Sequence, residues 1–139
     1  MKAMEIGDAG DQLRGVMGAR LQIFGGEPSV EQANAFLAGF DVASGYSLLR
    51  GYQEWLVVRL GGGYNIHWFA LGHKLALGVG PYDPTPTSAA GEQNDAGVRV
   101  LEFVVEFLEE MGRLDGRRNL YVQYEAQRVA DGLPDASDG

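Results

Sequence analysis

The chain has 139 residues, no cysteine and a formal net charge of −8. That length suits one ordinary domain built on a single core, and the missing cysteines remove disulfides and thiolate chemistry together. The charge is uneven: residues 79–139 carry twelve acidic side chains against five arginines and hold nearly all of the excess. A field of that sign disfavours nucleic acid and anionic membrane and favours a basic protein partner.

Residues 1–10 are expected to be a flexible N-terminus, and MKAMEIGDAGDQ lacks the apolar stretch of a secretory signal, so a cytoplasmic location is expected. A helical domain then runs from residue 11 to residue 130. Its first element is a short helix over Asp11 to Arg20 with Leu13, Val16 and Met17 inward, weakened by Gly15 and Gly18. Leu21 to Phe24 is a short extended link. Ser29 with Gln32 forms a capping box, each side chain satisfying a backbone donor of the first turn. From there Val30, Ala33, Phe36, Leu37, Phe40 and Ala43 keep helical spacing up to a stop at Gly45.

Tyr46 to Leu77 reads as a helical hairpin that the rest of the domain packs around. Leu49, Tyr52, Leu56 and Leu60 form one stripe of a helix over Leu48 to Leu60, widened by Trp55 and Val58. Arg50 and Glu54 stand four apart, the spacing of a helical ion pair. Gly61, Gly62 and Gly63 end that helix. Asn65 is the expected N-cap of the next, Ile66 to Leu77, which carries Trp68. Polar residues interrupt this run too soon for a bilayer span, which needs about 20 apolar residues.

Residues 78–96 read as a long loop, since prolines at 81, 84 and 86 forbid a regular helix. A connection of that length is mobile or functional, and a mobile surface loop is the plainer reading. Val98 to Met111 is a helix with Val98, Leu101, Val104, Val105, Leu108 and Met111 inward. Glu102, Glu106, Glu109 and Glu110 fall on its outer face, where like charges repel unless they are solvated or met by a basic partner. Arg117 to Ala130 fits both periods and is read as a helix, because no second strand offers it a partner. Residues 131–139 form a polar, acidic, flexible tail.

Motifs that carry chemistry are missing. His67 and His73 are separated by about 240° around a helix and cannot share a metal locally. The triple glycine lacks the lysine and hydroxyl of a phosphate loop, and no serine sits in a nucleophile elbow. No metal, cofactor or catalytic residue is therefore expected.

Two stretches resemble a known group of proteins. One is LQIFGGEPS with the helix through Phe36–Phe40; the other is GYQEWLVVR, followed by glycines and the helix containing Trp68. They resemble small uncharacterised proteins of high-GC actinobacteria and myxobacteria, some of which look like immunity proteins of polymorphic toxin systems. LDGRRNLYVQYE, from Leu114, suits the terminal helix of that group, whereas Ile23-Phe24 stands where the group often has Met-Tyr. The resemblance implies a fold more than an activity and carries no catalytic residues.

The expectation is thus an all-α domain of about five helices around the tryptophan hairpin. Its expected function is non-enzymatic: an immunity-type protein that masks a basic toxin domain with Glu102, Glu106, Glu109 and Glu110. The alternatives are a small-ligand module with a pocket of Tyr46, Tyr52, Trp55, His67 and Trp68, or a subunit of a larger assembly.

Overall fold

Five helices run through the described part of the chain: α1 (Val30–Ala43), α2 (Tyr52–Leu60), α3 (Trp68–Leu77), α4 (Ala90–Met111) and α5 (Gly116–Ala130). This computed structural model describes residues 25–85 and 90–133, together with Asp11 and Gly15, both helical. The expected N-terminus 1–10, the rest of the Asp11–Arg20 helix, the link 21–24 and tail residues 134–139 lie outside the described residues. The class is all-α, with no strand among the described residues.

The capping box forms as expected at the start of α1. Ser29 Oγ accepts from the Gln32 amide at 3.1 Å, and Gln32 Oε1 accepts from the Ser29 amide at 2.9 Å. Val30, Ala33 and Leu37 are buried, and α1 packs along α4. Phe36 and Phe40 stack at 5.9 Å at the margin of that core.

The boundaries of the hairpin differ from expectation. α2 begins at Tyr52, not Leu48, because Gly51 takes a φ of +91° that a continuous helix cannot contain. Leu48 and Leu49 are buried all the same, held in a turn by Asp41, whose Oδ1 accepts from the Leu49 amide at 3.2 Å. Arg50 therefore lies outside the helix, and the expected pairing with Glu54 does not arise. Gly61, with a φ of +80°, ends α2 where expected.

α3 begins at Trp68, so the N-cap is His67 rather than Asn65. The turn over Gly63–Ile66 uses up the earlier residues, and His67 Nδ1 accepts from the Phe69 amide at 3.1 Å. Arg99 Nη1 caps the far end by donating to the Ala76 carbonyl at 2.7 Å.

The expected loop over 78–96 is shorter, since α4 starts at Ala90. Glycine and polar residues disguise this start, but Ala96 is buried and Gly97 lies against Pro28 and Ser29, where the chain enters α1. Tertiary packing outweighs weak local propensity there. Residues 78–85 are tied down: Tyr82 Oη accepts from the Gly63 amide at 3.0 Å, and the Lys74 ammonium donates to the Asp83 carbonyl.

The core centres on Tyr52. Its ring lies 5.9 Å from Trp55, 5.6 Å from Trp68 and 5.2 Å from Phe107. Both indoles thus meet on one phenol, as a hairpin requires. Phe107 and Val100 are fully buried but do not belong to the inward set expected for this helix. The inward arc of α4 is wider than expected because α1 packs on it together with α2 and α3. α5 buries only Leu120; it is held further by Tyr124, whose ring lies 5.8 Å from that of Tyr64, and by polar contacts, with Gln127 Nε2 donating to the Val57 carbonyl at 3.2 Å and the Tyr64 hydroxyl to Asp131 at 2.6 Å.

Two helical glycines test this packing. A Cβ on Gly97 would stand 2.1 Å from the Pro28 carbonyl oxygen, whereas one on Gly39 would meet nothing within 4 Å. Gly39→Ala is expected to stabilise by up to about 1 kcal/mol through helix propensity. Gly97→Ala is expected to destabilise by about 1–3 kcal/mol through overpacking. Urea unfolding midpoints of both variants measure the contrast.

Candidate functional site

The glutamates of α4 divide into two kinds once α2 is packed beside them. Glu102 and Glu109 are exposed. Glu106 and Glu110 face Arg59, which stands one turn beyond Trp55 on α2. Arg59 Nη2 reaches Glu106 Oε1 at 2.6 Å and Glu110 Oε2 at 3.6 Å, and its guanidinium lies 4.0 Å from the centroid of the Trp55 ring. The indole N–H of Trp55 donates to the same Glu110 oxygen at 2.9 Å. Helical spacing makes this lock: Trp55 and Arg59 are four apart on one helix, Glu106 and Glu110 four apart on the other.

Its energetics follow from exposure. The Arg59 and Glu106 side chains are 37% and 49% exposed, so their attraction is strongly screened and contributes about 0–1 kcal/mol. The bond from Trp55 matters more, because the residue is only 2% exposed and its N–H has no easy access to water. An unpaired donor there costs about 1–3 kcal/mol. Glu110 is therefore a partner of the core indole before it can be a partner of another protein. The row expected to face outward as four equivalent carboxylates keeps Glu102, Glu106 and Glu109 on its exposed side.

Of the five residues expected to line a ligand pocket, Tyr52, Trp55, Trp68 and His67 pack ring against ring in one cluster, and Tyr46 has no ring contact with them. Tyr52 and Trp55 are core residues, and burial pushes the Tyr52 phenol far above its usual pKa. Trp68 is half-buried against Tyr52, and exposed His67 stacks on Trp68 at 5.4 Å. Tyr46, 66% exposed with a φ of +64°, belongs to the turn between α1 and α2. A cleft of about 450 Å³ opens instead between that turn and α5, lined by Ser47, Arg50, Arg117 and Tyr121. Sequence reasoning missed it, since Arg50 and Arg117 stand 67 positions apart and share no motif.

No group of three histidine, cysteine, aspartate or glutamate side chains able to hold a metal occurs among the described residues. No helix among them is long and apolar enough to cross a membrane. His73 Nε2 is buried without a hydrogen-bond partner among the described residues, and burial, followed by the Lys74 charge, holds the imidazole below its usual pKa. Comparison of the chain with protein-family models, with curated proteins and with solved structures finds no match in any of the three.

Two measurements follow from this geometry. Glu110→Ala should cost about 1–3 kcal/mol by stranding the Trp55 N–H, and Glu110→Gln, which keeps an acceptor oxygen, should cost less. Glu102→Gln should change stability by no more than about 0.5 kcal/mol; equal losses at both positions in urea unfolding would refute the division. For His73, the folded state favours the neutral ring, so the unfolded chain binds the proton first as pH falls. Stability should therefore decline as pH falls through the ordinary imidazole value of about 6.5, and His73→Gln should flatten that part of the profile.

Proposed function

We propose that this protein is a non-enzymatic binding protein of the immunity type, which neutralises a basic toxin domain by covering it with the outer face of α4. The observation that carries this reading is the exposed row of Glu102, Glu106 and Glu109 on a helix whose opposite face buries Val100, Leu101, Val104, Phe107 and Leu108. The lock between Arg59, Trp55, Glu106 and Glu110 supports it, because it braces the helix directly beneath the row. A braced helix presents its charges without the entropy loss that ordering a mobile segment on binding would incur.

The mechanism is occlusion. Carboxylates spaced along one helix imitate the anionic substrate of a basic active site, and the body of the domain blocks access to it. Such complementarity speeds encounter and selects the partner more than it adds affinity. Glu106 contributes while shared with Arg59, whose single charge leaves the Glu106–Arg59–Glu110 trio net negative. The acidic excess of the last third of the chain extends the attraction beyond the helix itself.

The test is association with a basic toxin domain encoded beside this gene. Changing Glu102, Glu106 and Glu109 together to glutamine should slow association at low salt by about tenfold or more and flatten its dependence on ionic strength. Unchanged kinetics and an unchanged salt slope would eliminate the acidic-face mechanism. Failure of the wild-type protein to bind the toxin domain would eliminate the function.

A further inference from the structure

We propose that the cleft between the α1–α2 turn and α5 is a binding site for the phosphoryl group of a small phosphorylated molecule. The site is independent of the acidic face of α4 and of the partner proposed for it.

The first support is a pair of cleft arginines that form no ion pair among the described residues, the nearby Asp41 carboxylate being engaged by the Leu49 amide. Arg50 and Arg117 line the same cleft, and Arg117 Nη1 donates to the Arg50 carbonyl at 3.0 Å, which holds that side chain at the rim. The ion pairs among the described residues join Arg59 to Glu106 and Glu110, and Arg128 to Glu125. Neither cleft arginine takes part in one, in a chain with 19 acidic residues and 11 basic ones. An anion seated in a cleft lined by two arginines offsets the repulsion between their like charges.

The second support is the balance of donors and acceptors. Each guanidinium offers five N–H donors in a planar fork, of which one, on Arg117, is committed to the Arg50 carbonyl among the described residues. The Tyr121 hydroxyl adds a further donor at the cleft wall. Ser47 is different: its hydroxyl already donates to the Ser44 carbonyl at 2.8 Å, so it can only accept. A ligand that fits this set carries many acceptor oxygens and a hydroxyl of its own. A planar carboxylate is satisfied by one fork, whereas the three terminal oxygens of a phosphate monoester can meet two forks arriving from different directions.

Size and surroundings narrow the class. The cleft of about 450 Å³ lies within the range of about 300–1,000 Å³ usual for small-molecule sites. Beside it α5 packs on the turn at ordinary contact distance, since a Cβ on Gly51 would stand 3.4 Å from both Leu120 Cδ2 and Tyr121 Oη. The net charge of −8 repels a long polyanion or an anionic bilayer, but over a Debye length of about 8 Å it acts weakly on a small ligand seated between two arginines.

The experiment is a titration of the isotope-labelled full chain with inorganic phosphate and with glycerol phosphate, followed by amide chemical shifts. Acetate and anionic phospholipid vesicles serve as competing probes. Saturable shifts at Ser47, Arg50, Arg117 and Tyr121 are expected with both phosphates. Arg50→Gln, which removes a guanidinium with no ion pair among the described residues, should weaken binding about tenfold, the effect of one charge-assisted contact. Tyr121→Phe, a milder change, should weaken it severalfold and serves should the first variant fold poorly. Four results would overturn the proposal: no saturable shift, equal affinity in both folded variants, acetate binding as tightly as phosphate, or capture by the vesicles.

Discussion

Everything in this molecule is arranged around the burial of Tyr52 and Trp55 between α3 and α4. Each large aromatic ring removes about 150–250 Å² from water, a gross gain of about 4–6 kcal/mol at the usual coefficient. Against it stands the Tyr52 hydroxyl, buried with no hydrogen-bond partner among the described residues, at a cost of about 1–3 kcal/mol. Burial wins, and the phenol becomes the hub on which two indoles and Phe107 pack. Trp55 avoids a similar loss because Glu110 lies within reach of its N–H.

That bond ties the core to the surface. A glutamate that looks like part of a solvated row satisfies a buried donor, and Arg59 lies over the same indole while holding the neighbouring carboxylate. The outer face of α4 is thereby oriented by the hydrophobic centre. A partner docking on Glu102, Glu106 and Glu109 would meet a surface whose helix cannot roll without breaking the lock. In the proposed function, recognition draws on the rigidity of the same contacts that stabilise the fold.

Two arginines distant in sequence also meet in this fold. Arg50 and Arg117 collect at the turn between α1 and α2, where Gly51, with its φ of +91°, lets the chain turn into α2. Asp41 organises that turn, accepting from the Tyr46 amide through its carbonyl at 2.8 Å and from the Leu49 amide through its carboxylate at 3.2 Å. The arginine cleft is thus built on backbone held from α1, with α5 laid across it through Leu120. An acidic face and an anion-seeking cleft can coexist on so small a domain because screening shortens the reach of each.

Local chemistry alone was enough to specify α1, since a capping box and a strict apolar period involve residues no more than four apart. It also specified the helical class, the end of α2 at Gly61 and the approach of both tryptophans to one core. The start of α4 was hidden, because Gly97 is helical for what it touches on the segment leading into α1 and not for its own propensity. The starts of α2 and α3 were displaced by turns whose hydrogen bonds come from Asp41 and Gly63, outside the helices themselves. The division among the glutamates and the meeting of Arg50 with Arg117 depend on pairs more than forty positions apart. No periodicity encodes such pairs; they exist only once burial of the aromatic hub has set the helices side by side.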